Sequence, residues 1–73
     1  MKVEKLVKMA NDISNFFDSE SDKNIAAIGV KDHITHTWEP RMLKLLLEYA
    51  EKDGAELSVL ARDAVSRIQA EAK

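Results

Sequence analysis

The sequence predicts an all-α fold, a small helical bundle of three to four short-loop helices forming one domain over residues 1–73. Three observations lead there. Apolar residues recur at steps of three and four through four separate segments, the period of one helix face. Pro40 and the run Lys52-Asp53-Gly54 stand where one helix should begin and end. Hydrophobic residues make up 45% of the chain and fall in register, which argues against a disordered tail.

The first segment, about Lys2 to Phe17, places Val3, Leu6, Val7, Ala10, Ile13, Phe16 and Phe17 on one stripe. Its lysines lie toward the N-terminal end and Asp18 at the C-terminal end, the unfavourable sense for the helix dipole, so burial must outweigh a small electrostatic cost. The run Asp18 to Asp22 then offers Ser19 or Ser21 as the cap of a second helix, with Ser19 and Asp22 spaced as a capping box. That helix is expected to reach about Thr37, with Ile25, Ala27, Ile28, Val30, Ile34 and Trp38 as its apolar positions. Gly29 in its middle costs about 1 kcal/mol relative to alanine, which suggests a close approach there.

Pro40 pushes Glu39 out of helical geometry yet suits the first turn of a helix, so a bend at Trp38–Pro40 precedes a third helix from Pro40 to about Lys52. Leu43, Leu46, Leu47 and Ala50 share one face of it and Met42, Leu45 and Tyr49 another. A helix apolar on more than one face is either central or covered by something else. Gly54, free to adopt positive φ, ends it. Ser58 then caps a fourth helix whose stripe is Leu60, Ala61, Ala64, Val65 and Ile68, supported by Asp63 and Arg67 at i,i+4.

A 73-residue chain buries only about 60% of the surface its unfolded form exposes, so its margin of stability is thin. With no cysteine, disulfides, thiolate zinc sites and thiol nucleophiles are closed to it, and association with another chain is the remaining way to gain stability. Its 11 basic and 13 acidic residues give a net charge of −2, without the basic excess of a nucleic-acid binder. Helix three mixes Arg41 and Lys44 with Glu48 and Glu51, which also speaks against a DNA recognition helix. Lys2, Glu4, Lys5, Lys8 and Asp12 interrupt the opening stretch, so neither a signal peptide nor a membrane span is expected, and the location expected is the cytoplasm.

No catalytic, cofactor-binding or metal-binding residues are assigned. His33 and His36, near Asp32 and Glu39, share a helix face at i,i+3, but two imidazoles fall short of the four ligands of a structural metal site. The carboxylates read as a solvated charged surface, the serines lack a nucleophile elbow, and no glycine-rich phosphate loop exists. Met9 and Met42 read as core filler. Trp38 has two readings. It plugs the small core while Arg41 caps a carbonyl or pairs with Glu39, or Trp38 and Arg41 anchor a partner, being residue types enriched in interface hot spots. The expected partner-binding residues are His33, His36, Trp38, Pro40, Arg41, Leu45 and Tyr49.

Lys5-Leu6-Val7-Lys8-Met9-Ala10-Asn11, the pair Phe16-Phe17, and Val30-Lys31-Asp32-His33-Ile34 leading to Trp38-Glu39-Pro40-Arg41-Met42 resemble the delta subunit of NAD-dependent, molybdenum-containing formate dehydrogenases. The resemblance runs from Val3 to about Val65. The sequence departs from that family's pattern at Thr37, where an aromatic is common, at Glu56, where glycine is, and at Val59, where proline is. The resemblance implies a non-catalytic accessory subunit or assembly factor that binds the large catalytic subunit, with the molybdenum cofactor, iron–sulfur clusters and flavin on other chains. A self-associating helical module, paired through the leucines of helix three as a homodimer, is the alternative.

Overall fold

The computed structural model describes residues 2–72, which form helices α1 (Val3–Phe17), α2 (Lys23–Thr37), α3 (Pro40–Lys52) and α4 (Val59–Ala72), with no strand among them. Helices α1, α2 and α4 enclose the core, and α3 lies against α1 and α4 while scarcely touching α2 beyond their junction. Leu6, Val7 and Ala10 of α1, Ala26, Ala27, Val30 and Ile34 of α2, and Leu60, Ala61, Ala64, Val65 and Ile68 of α4 are buried together with Trp38, Leu46 and Leu57. Alanines on the facing sides of α2 and α4 let the two helices approach closely, and polar straps cross the same seam: Arg67 Nη2 donates to Asn24 Oδ1 at 2.8 Å, and Lys31 Nζ lies 2.8 Å from Glu71 Oε2.

Two expected apolar stripes are corrected at their edges. Phe16 is 79% exposed, because the side of α1 that meets the bundle continues from Ala10 to Ser14. The Ser14 hydroxyl donates to the Ala10 carbonyl at 2.9 Å, which lets a polar side chain occupy a core position without an unpaired group. On α2, Ile25 and Ile28 are 57% and 44% exposed, while Ala26, Ala27, Val30 and Ile34 face inward. Ala26 and Ala27 thus join Val30 and Ile34 on the buried side of α2, and Ile25 and Ile28 are left at its edge.

The start of α2 is also corrected. Neither Ser19 nor Ser21 caps it; Asp22 does, its Oδ1 accepting from the backbone N–H groups of Asn24 at 3.0 Å and Ile25 at 3.4 Å. A carboxylate there both pairs orphan donors and meets the positive end of the helix dipole. The mismatch expected at the end of α1 is relieved by the next helix: Lys23 Nζ donates to the Asp18 carbonyl at 2.8 Å and lies 3.3 Å from its carboxylate.

The remaining punctuation follows the sequence. Glu39 is extended ahead of Pro40 in the first turn of α3, Gly54 has φ of 67°, and the Ser58 hydroxyl accepts from the Ala61 N–H at 3.1 Å. Val59, at the position where the resembling family favours proline, is the first residue of α4. Gly29 admits a ring: a Cβ there would stand 2.6 Å from Phe17 Cε1. Asp63 and Arg67 pair at 3.1 Å, and Met9 and Met42 both pack, half-buried, against the core.

Candidate partner-binding surface

Helix α3 contributes the fewest fully buried side chains of the four helices. Leu46 alone is buried, and Met42, Leu43, Leu45, Leu47, Tyr49 and Ala50 pack against the core while remaining partly open. Arg41, Leu45 and Tyr49 follow each other at i,i+4,i+8, one line along the helix spanning about 12 Å at 1.5 Å per residue. Three of the expected contact residues therefore share one stripe.

The others are placed differently. Trp38 is only 8% exposed and belongs to the core, and its backbone N–H donates to the Ile34 carbonyl at 2.9 Å to finish α2. Pro40 is exposed at the bend. Arg41 is exposed and forms no ion pair among the described residues, so the expected Glu39–Arg41 pair is absent. His33 and His36 are exposed on α2, which shares little packing with α3. The His36 Nδ1 lies 2.7 Å from the Asp32 carbonyl, and among the described residues no three His, Cys, Asp or Glu side chains converge as metal ligands would.

At its far end the α3 stripe opens into a groove of about 690 Å³ between the first turns of α1, the end of α3 and the following loop. Val3, Val7 and Tyr49 give it an apolar floor, and Glu4, Asp12, Asp53 and Glu56 bring carboxylates to it, with Lys8 and Asn11 completing the lining. Lys8 is tied to Asp12 at 3.0 Å.

The loop that walls this groove is held by side chains whose role the sequence did not announce. Asn11 Nδ2 donates to the Glu56 carbonyl at 2.9 Å, and its Oδ1 accepts from the Ser58 N–H at 2.8 Å. The Tyr49 hydroxyl accepts from the Glu56 N–H at 3.0 Å, and Arg62 Nη2 donates to the Gly54 carbonyl at 2.8 Å. One amide side chain on α1 thus holds the C-terminal half of a loop more than 40 residues away, at Glu56 and Ser58, and presents the N-cap residue of α4. The available signal was a short polar residue on the flank of an otherwise apolar stripe.

These features lie within the span matched by a protein-family model, that of the NADH-dependent formate dehydrogenase delta subunit FdsD, which covers residues 5–65. The chain belongs to this family. No curated protein and no solved structure matches it. The delta-subunit match takes in α1 from Lys5, all of α2 and α3, and α4 as far as Val65. It includes Asn11, the loop it holds, Trp38, and the Arg41–Leu45–Tyr49 stripe. Among the described residues of this delta-subunit family member, no helix is long and apolar enough to cross a membrane.

Proposed function

We propose that the chain is a non-catalytic accessory subunit or assembly factor of a molybdenum-dependent, NAD-linked formate dehydrogenase in the cytoplasm, and that it binds the large catalytic subunit through α3. Family membership supplies the enzyme. The observation that carries the docking surface is α3 itself, seven apolar side chains on 13 residues with only Leu46 buried, beside an Arg41 that has no ion-pair partner among the described residues. Covering such a face removes apolar area from water at about 25 cal/mol per Å². An arginine at its edge supplies forked donors of the kind found in interface hot spots.

In this reading Trp38 serves folding and Arg41 serves binding. Arg41→Ala is expected to leave helicity and melting almost unchanged and to weaken co-purification with the large subunit by about 2 kcal/mol or more. A folded Arg41→Ala variant that co-purifies like the wild type would remove Arg41 from the interface. The same leucine face could instead pair with a second copy of the chain. The mass of the isolated protein in solution decides between a homodimer and a monomer that awaits its partner.

A further inference from the structure

We propose that the groove between the start of α1, the end of α3 and loop 53–58 receives a segment of the large catalytic subunit that presents an apolar side chain flanked by lysine or arginine. This deepens the docking reading above and rests on it. The groove, about 690 Å³, is of the size that takes one or two large side chains, and its floor of Val3, Val7 and Tyr49 favours an apolar one.

The charge around that floor chooses the flanks. Asp12 is neutralised by Lys8, whereas Glu4, Asp53 and Glu56 have no ion-pair partner among the described residues. The groove therefore gathers negative charge beyond what the chain's net −2 would give if evenly spread. An acidic segment or a nucleic-acid backbone is repelled, a wholly polar segment leaves the floor unfilled, and a basic–apolar segment satisfies both features. The site is also built before the partner arrives. Asn11 and the Tyr49 hydroxyl hold the Glu56 backbone by hydrogen bonds of 2.9 and 3.0 Å, so little ordering of the loop remains to oppose binding. Tyr49 belongs both to the groove and to the Arg41–Leu45–Tyr49 line, which makes the groove a continuation of the α3 face.

Binding of the full-length chain to the immobilised large catalytic subunit, followed over a range of salt concentrations, tests this. The double variant Glu4→Lys, Glu56→Lys is compared with Glu20→Lys, Asp32→Lys, which changes the net charge equally at sites outside the groove. The groove variant is expected to associate on the order of tenfold more slowly at low salt and to lose most of the salt dependence, with the control within about twofold of wild type. Should lysines at the groove disturb folding, the near-isosteric Glu4→Gln, Glu56→Gln variant is expected to lose part of the salt dependence, with a correspondingly smaller change in rate. Groove variants that behave like the control would overturn the groove assignment and leave docking through α3 standing. A wild-type chain that fails to bind the large subunit would overturn both.

Discussion

Asn11 offers the sharpest test of how this small bundle holds its loop. Asn11→Ala removes a donor to the Glu56 carbonyl and an acceptor for the Ser58 N–H, bonds of 2.9 and 2.8 Å. The two losses are unequal. The Glu56 carbonyl is exposed and water replaces the amide, so that bond is worth about 0.5 kcal/mol. The Ser58 N–H is part-buried, and leaving it unpaired costs about 1–2 kcal/mol. The sum, about 2 kcal/mol, corresponds to a fall in melting temperature of roughly 8–16 °C for a domain of this size. Asn11→Asp separates the contributions, because a carboxylate still accepts from Ser58 but cannot donate to Glu56. Thermal melting followed by circular dichroism gives the order wild type, Asp, Ala, and exchange of the Ser58 amide hydrogen accelerates most in the alanine variant. An Asn11→Ala protein melting within about 2 °C of wild type would refute the bridging role.

Gly54→Ala places a methyl group at φ of 67°, 3.2 Å from the Ala50 carbonyl oxygen, and is expected to destabilise by about 1–2 kcal/mol in the same melting assay. Gly29→Ala gains helix propensity of about 1 kcal/mol but drives a Cβ into the Phe17 ring; the gain should appear in full only in a Phe17→Ala background, which a double-mutant cycle reads directly. Trp38→Ala, at a buried position, should cost about 3–5 kcal/mol and unfold much of the population, seen as loss of helical ellipticity. The Lys31 ammonium, hydrogen-bonded to Glu71, titrates above its ordinary 10.5. A raised lysine value stabilises the fold below the unfolded pKa and loses that contribution as pH rises through the folded one. Melting profiles should therefore carry the Lys31 contribution unchanged with pH near neutrality and lose it above pH 10.5, and Lys31→Met should be less stable than wild type near neutrality and show a smaller fall above pH 10.5.

Most of the fold was legible because helix stripes, Pro40, Gly54 and Ser58 act within a few residues of themselves. The errors in the apolar stripes share one cause. Periodicity ranks residues by hydrophobicity, whereas the buried side of α2 was chosen by how closely α4 could approach, which favoured Ala26 and Ala27 over Ile25 and Ile28. Phe16 was misplaced for a related reason, since Ser14 could be buried by bonding to its own helix backbone. The Asp22 cap was hidden among acidic and serine residues that could each have served locally. For the candidate surface, the over-apolar character of α3 was visible in the sequence, and the structure adds that all of its apolar side chains but Leu46 pack on the core while staying partly accessible. The groove was not visible. It depends on Asn11 and Tyr49 meeting a loop across long sequence separations, and residue spacing carries no such information.

Docking of α3 on the large catalytic subunit can be read by hydrogen exchange on the purified pair, with the oligomeric mass measured on the same sample. Docking through α3 gives a complex in which amide protection rises along residues 41–56, covering α3 and the groove loop, while the outer side of α2 around His33 exchanges as in the free chain. Protection confined to α2, or a homodimer that ignores the large subunit, would contradict it.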